Sequence, residues 1–289
     1  MESLIQDIRY GIRMLAKKPG FTVVAVIALA LGIGANTAIF SVVNKVLLNP
    51  LPYNEPDRLM MVWEENAKNG FPADTPAPAN FISWREQNQV FEDMAALDGN
   101  SYSLTGTGEP EKVAGHRVSA SLFPILGVDP SLGRVFSPEE DNPGANRVVI
   151  ISDGLWKRRF GSDREILGKT LTLDGESYTV VGVMPPRFEF PNRESEIWIP
   201  MGFSAEEAAS RGNHYLEVIG RARPGVTREQ AQAEMSTIAA RLQEQYPQTN
   251  TSIGAVVIPL HEQLVGDIRP ALLVLLGAVG FVLLIACAN

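Results

Sequence analysis

The sequence predicts an α+β protein in which two transmembrane helices flank a large water-soluble domain. Three observations carry this. Two uncharged apolar stretches stand near the ends, Phe21–Val43 and Ala271–Asn289. Each is close to the roughly 20 residues that a helix rising about 1.5 Å per residue needs to cross a hydrocarbon core of about 30 Å. Residues 44–270 alternate strand-like and helix-like runs, which gives the mixed class. The single cysteine, Cys287, falls in the second apolar stretch. The domain between the stretches therefore has no disulfide to close and must be held by its core, which a domain of this size can supply.

Residues 2–18 read as an amphipathic helix. Leu4, Ile5, Ile8, Ile12 and Leu15 share one face, and Arg9, Arg13 and Lys17 take the other. Pro19-Gly20 breaks it. Such a helix beside a span fits either an anionic lipid surface or a docking groove on a cytoplasmic partner. The first span carries small residues four apart: Ala28 with Gly32, and Ala30, Gly34 and Ala38 in a row. Rows of this kind let helix backbones approach closely in lipid. Asn36, Thr37, Ser41 and Asn44 prefer a protein neighbour to lipid. The span is thus expected to pack in a bundle, with Ala28, Gly32, Gly34 and Ala38 as packing residues, and to continue helically to Pro50. A secretory signal would also begin with a charged segment, but its apolar core runs only about 7–15 residues. This run extends through Ile33, Ile39, Phe40 and Val43.

The soluble part opens with a strand at Leu59–Trp63, and Pro78 starts a helix burying Phe81, Ile82 and Trp84. Strands follow at Ser101–Leu104 and Lys112–Val118. Gly127, Pro130 and Gly133 mark a change of texture. Val148–Ser152 is a β-branched run, and Ser152 caps a short helix holding Trp156 and Phe160. Lys169–Leu173 and Ser177–Met184 flank Asp174-Gly175, a hairpin signal. Pro185, Pro186, Pro191 and Pro200 mark an irregular stretch. A β-α-β element closes the domain. It comprises strand Tyr215–Ala222, a helix with a Thr227/Gln230 capping box, and strand Ile253–Leu260. The helix sets Ala231, Met235, Ile238, Leu242 and Tyr246 on one stripe. A polar helical entry leads to the second span.

Charge sets the orientation. Arg9, Arg13, Lys17 and Lys18 precede the first span, whereas Arg58 alone lies in 50–64 and Arg269 alone in 251–270. Lys and Arg near the spans mark the cytoplasmic side. The N-terminus is therefore expected in the cytoplasm and the central domain outside. A net charge of −8 without a basic stripe argues against nucleic-acid binding.

Sites of chemistry are not expected: no catalytic, cofactor or metal residues. Gly168-Lys169-Thr170 resembles the tail of a phosphate loop, but Asp163 stands where that loop needs glycine. His116, His214 and His261 are far apart, and His261-Glu262 lacks the second histidine of a metalloprotease helix. No G-x-S-x-G elbow occurs. Glu64-Glu65 and Glu139-Glu140-Asp141 read as solvated loop acids. Trp156-Lys157-Arg158-Arg159 reads as one buried aromatic with a solvated basic face, ahead of an anion site.

Asp7-Ile8-Arg9-Tyr10-Gly11-Ile12-Arg13-Met14-Leu15, Lys18-Pro19-Gly20-Phe21-Thr22, the run from Ala28 to Asn44, Leu51-Pro52-Tyr53 and Pro56-Asp57-Arg58-Leu59 resemble the front of MacB/FtsX-like ABC transporter permeases. The subgroup they look like is the large duplicated permeases of Acidobacteria. Gly133-Arg134-Val135-Phe136, Ser152-Asp153-Gly154-Leu155-Trp156 and Gly168 through Gly182 are similar to the periplasmic core domain of that family. The resemblance implies a cytoplasmic amphipathic helix (1–20), transmembrane helix 1 with a stalk (21–48), a periplasmic core domain (49–262) and transmembrane helix 2 (263–289). The core domain would comprise a porter-like α/β subdomain (54–122 and 213–262) and an inserted, mostly β subdomain (123–212). The implied protein is a multi-pass permease of the bacterial inner membrane working by mechanotransmission. A cytoplasmic ABC ATPase subunit and a second permease subunit or second half of the chain are its implied partners, with lipid around it. Helix 2–18 would be the ATPase contact, through Ile5, Ile8, Arg9, Ile12 and Arg13. The family has more spans than the two here, so the chain is read as the front part of a longer protein. ATP binding is not implied. A membrane-anchored sensing or binding domain of a signalling protein is the competing reading, and a membrane-bound hydrolase is a third.

Overall fold

The computed structural model describes residues 2–44, 51–66, 68, 70–106, 108–266 and 268–288. The chain divides into two compact units, Met1–Leu51 with His261–Asn289, and Pro52–Leu260.

In the first unit, α1 (Glu2–Lys17) is followed directly by α2 (Pro19–Val43). The expected break at Pro19-Gly20 falls one residue earlier. Lys18 leaves helical geometry, at φ −127° and ψ 69°, and Pro19 opens the new helix. Proline suits a first turn because its missing N–H has no intrahelical acceptor there. Thr22 Oγ1 donates back to Leu15 O at 2.7 Å and so ties the two helices across the break. Within α2, Thr22–Val43 has a mean hydropathy of 2.2 and is long and apolar enough to cross a membrane. It is the only such helix among the described residues. The helix α10 (Arg269–Ala288) is equally uncharged beyond Arg269, but its apolar stretch, Arg269–Ile285, is shorter. The expected helical continuation to Pro50 lies outside the described residues.

The second unit is built on one sheet of eleven strands among the described residues. Its order begins with β11 (Gly254–Pro259), β1 (Leu59–Asn66), β10 (Glu217–Ala222), β3 (Phe91–Thr105) and β4 (Glu111–Val118). It continues through β9 (Ile197–Pro200), β6 (Val148–Ile151), β8 (Glu176–Val183) and β5 (Leu132–Gly133). Off this path, β2 (Phe71–Asp74) pairs with β1, and β7 (Thr170–Leu173) pairs with both β3 and β8. The closing β-α-β element is split. Strand β1 lies between β10 and β11 and is antiparallel to both, with Met60 opposite Gly220 on one side and Pro259 on the other. The connecting helix α7 (Arg228–Gln245) has the capping box at Thr227 and Gln230. It buries Ala231, Met235, Ile238, Ala239 and Leu242.

Two apolar cores lie along this sheet. In the first, α7 and α3 (Pro78–Gln87) supply Met235, Leu242, Phe81 and Trp84 against Met60, Val62, Met94 and Val218. In the second, Val149, Ile151, Leu171, Val180, Ile197 and Ile199 close over Leu155 of α5 (Asp153–Phe160). Tyr102 and Leu104 from the far end of β3, with Val113 of β4, belong to this second core, while Met94 and Ala96 near the start of β3 belong to the first. The long strand β3 thus runs through both. Burying one such aliphatic side chain contributes about 1.5–3 kcal/mol.

Strand β3 begins ten residues before the expected Ser101. Asp98-Gly99-Asn100 have turn chemistry, yet they pair in register with Arg117, His116 and Gly115 of β4. Asp93 pairs with Arg221 of β10 beside a register shift that leaves Glu92 without a partner in the ladder. The irregular proline stretch ends in a strand, since Pro200 is the last residue of fully buried β9. Tyr246 is corrected off the α7 stripe. It follows the helix, is 41% exposed, and carries the Arg211 guanidinium 3.8 Å from its ring centre.

Candidate functional site

In the helical unit, α10 lies against α2. Gly32 is buried, and a Cβ there would stand 3.2 Å from Leu283 Cδ1 and 3.7 Å from Leu283 Cα. One turn on, Asn36 Nδ2 donates to Val279 O at 3.1 Å and to its own helix at Gly32 O, 3.0 Å. The two helices thus meet at a glycine and are bonded through an amide. Gly34 has nothing within 4 Å of a Cβ, and Ala28 and Ala38 are exposed, so this contact brings together Gly32 alone of the four small residues. Thr37 and Ser41 satisfy their hydroxyls within α2, on Ile33 O and Thr37 O. On α1, Arg13 is exposed. The backbone at Ile5, Ile8, Arg9 and Ile12 is helical, and their side chains lie outside the described residues.

The extracore chemistry of the second unit is concentrated where sequence reasoning placed none. Glu64, expected to be a solvated loop acid, is 1% exposed in β1. Its Oε1 accepts from Ala77 N at 3.0 Å and from Asn80 Nδ2 at 2.7 Å. Its Oε2 is shut off from water and lies 2.8 Å from His214 Nδ1. The same ring nitrogen reaches Thr75 O at 3.2 Å. The Glu64 carboxyl beside it holds the His214 imidazole above its ordinary range. Asn80, also 1% exposed, accepts at Oδ1 from Arg211 Nη1 at 2.6 Å and from Asn250 Nδ2 at 2.9 Å. Arg211 further donates to Ala79 O and to Ser83 Oγ, each at 3.0 Å. The cluster joins β1, the start of α3, the segment 210–216 and the short α8 (Pro247–Asn250). The sequence signal for it is Glu64 at an inward-facing strand position in an apolar run, a place where a carboxyl must find donors.

The other acids and bases take structural roles. Glu140 receives both guanidinium nitrogens of Arg134 at 2.7 and 2.8 Å and completes a capping box with Ser137. Asp141 accepts from Ala120 N at 2.8 Å, and burial pushes its carboxyl up. These two are therefore corrected from solvated acids to tethered ones. The basic face of α5 is ion-paired instead of free: Lys157 with Asp153 at 2.8 Å, and Arg158 with Glu196 at 2.6 Å and with Glu111. Trp156 is half-buried and donates to Asp163 O, and the fully buried residue of that helix is Leu155. Lys169 Nζ pairs with Asp163 at 2.5 Å, and Thr170 enters the hairpin β7–β8. His116 lies 2.8 Å from Ser195 Oγ in a buried pair, and burial holds its imidazole down at about 4. Among the described residues no group of three or more His, Cys, Asp or Glu is placed to hold a metal ion.

The family model for the MacB-like periplasmic core domain matches residues 22–238. Among solved structures, the chain is similar to a domain of a protein described as a permease from Porphyromonas gingivalis. That match has 17% identity and a TM-score of 0.57 and covers 72% of this chain and 92% of that one. It is also similar to the periplasmic region of MacB from Actinobacillus actinomycetemcomitans, with 14% identity and a TM-score of 0.54, covering 78% of this chain and 98% of that one. At these identities the likeness is one of fold. No curated protein matches.

Proposed function

Because this chain belongs to the family of MacB-like periplasmic core domains, we propose that it is the permease part of an ABC transporter working by mechanotransmission. ATP hydrolysis by a partner subunit in the cytoplasm moves the membrane helices. They in turn move the body 52–260 outside the inner membrane, for export or efflux. In this reading α2 and α10 are both spans, the protein is multi-pass, and a second permease subunit or second half of the chain faces this one. The observation that carries the reading is the helical unit itself. Residues from the two ends of the chain, either side of the body, fold into one unit in which an apolar helix is pinned to another at Gly32–Leu283 and Asn36–Val279. A pinned pair transmits displacement, whereas a lone anchor has no need of one.

Helix α1 is assigned the ATPase contact. Ile5, Ile8 and Ile12 would fill a partner groove, and Arg9 and Arg13 would meet acidic groups beside it. Its link to α2, the Thr22 hydroxyl bonded to Leu15 O, would carry the motion on. The double variant Arg9→Glu, Arg13→Glu in the full-length complex tests this. Uncoupling of ATPase activity from transport, with insertion and folding of the body intact, is expected. Normal coupled activity would return α1 to a lipid-surface role.

A further inference from the structure

We propose that Glu64 and His214 form a proton-operated latch, which holds the segment 210–216 against β1 and the start of α3 when His214 is protonated and loosens when it is neutral. The segment is where the chain returns from the second core to the first. Its attachment includes bonds on both sides, besides the Arg211 guanidinium on the Tyr246 ring. Ala79 N donates to Ser210 O at 3.0 Å, Leu216 N donates to Pro76 O at 3.1 Å, and Arg211 donates to Ala79 O, Asn80 Oδ1 and Ser83 Oγ.

The asymmetry of the Glu64 carboxyl makes this attachment sensitive to a proton. Oε1 has two donors, from Ala77 N and Asn80 Nδ2. Oε2 has no aligned hydrogen bond and no water access, so the His214 ring at 2.8 Å is its compensation. With a positive ring, a buried carboxyl faces an opposite charge. With a neutral ring, the same oxygen loses that charge and keeps only its proximity to a ring nitrogen that also faces Thr75 O. Leaving a buried carboxylate oxygen uncompensated is costly. The other charged groups around the ring are few. Asp74 of β2 adds to the pull for a proton, and Arg211 lies on the segment itself. Helix α3 presents Asn80 and Ser83, and α8 presents Asn250, all uncharged.

The sign follows from linkage. The latched state binds the His214 proton more tightly than an open state, where the ring returns to about 6.5. Latching is therefore strongest below that value and is lost as pH rises through the higher, latched value. The physiological consequence, a body that responds to ambient pH, rests on the extracytoplasmic placement proposed above. The test reads the latch alone.

Hydrogen–deuterium exchange of the full chain in lipid nanodiscs, corrected for intrinsic rates, is followed between about pH 5.5 and 8.5. The probes are peptides covering 75–81 and 211–217. Protection at Ala77, Ala79 and Leu216 is expected to step down above about pH 6.5, tenfold for each unit by which the latched and open values differ. Val180 in the second core is expected to show no step. In His214→Gln, which keeps a donor without titrating, the step should vanish. In Glu64→Gln its midpoint should move to lower pH. A flat wild-type profile, a step retained in His214→Gln, an unmoved midpoint in Glu64→Gln or an equal step at Val180 would each overturn the latch. Should His214→Gln not fold, the wild-type profile and Glu64→Gln still decide.

Discussion

Asn36 Nδ2 donates to Val279 O across 3.1 Å, joining two apolar helices 243 residues apart in the chain. The amide spends its other contact on Gly32 O in its own helix, one turn from the point where Leu283 fills the space a side chain at residue 32 would need. An interhelical bond of this type in lipid contributes about 0.6–2 kcal/mol.

The helix contact predicts a disulfide. With Cys287 replaced by Ser, Gly32→Cys combined with Leu283→Cys is expected to crosslink on mild oxidation, because the Cβ of residue 32 lies 3.7 Å from Leu283 Cα. Gly34→Cys with Leu283→Cys is expected not to, since Gly34 faces open space. Asn36→Leu should lower the yield of the first pair. Gel mobility with and without reductant reads all three, and equal yields for the two pairs would refute the contact.

Leu242→Ala is expected to destabilise the body by about 2–5 kcal/mol, the range for deleting a buried leucine. Leu242 is 1% exposed in the first core, on the helix that closes the split β-α-β element. Denaturant unfolding checks it. A loss under about 1 kcal/mol would place Leu242 at a site that collapses freely or outside the core.

Stability should also fall on the acid side through His116. Burial holds its folded imidazole at about 4, below the ordinary 6.5. Between these values the unfolded ring takes up a proton that the folded ring refuses. Its contribution is thus complete above pH 6.5 and lost as pH falls toward 4, at about 1.4 kcal/mol for each unit of separation. His116→Gln should flatten the stability profile in that window. A variant profile parallel to the wild type's would show that other groups set it.

Much of the architecture was legible because it rests on local chemistry. Pro78, the Ser152 cap, the Asp174-Gly175 hairpin and the Thr227–Gln230 box each announce an element by a backbone requirement, and each is realised. The elements that were missed rest on partners far away in sequence. The first half of β3 carries turn-like residues and is a strand because β10 pairs along it up to Leu97, from where β4 takes up the pairing. The polar cluster was missed for the same reason. Nothing near Glu64 in sequence reveals that Asn80, His214 and Asn250 converge around it. The small-residue rows of α2 mark surfaces that permit close approach. They do not say which surface is used, and Gly32 meets Leu283 while Gly34 stays open.

The central claim is that the body 52–260 lies on the far side of the membrane from α1, and site-directed labelling tests it most directly. Asn100 is exposed on β3. In a Cys287→Ser background, Asn100→Cys in intact cells with a permeabilised outer membrane should react with a membrane-impermeant maleimide, while Arg13→Cys should react only after lysis. Protection of residue 100 in intact cells, with labelling only on lysis, would contradict the account.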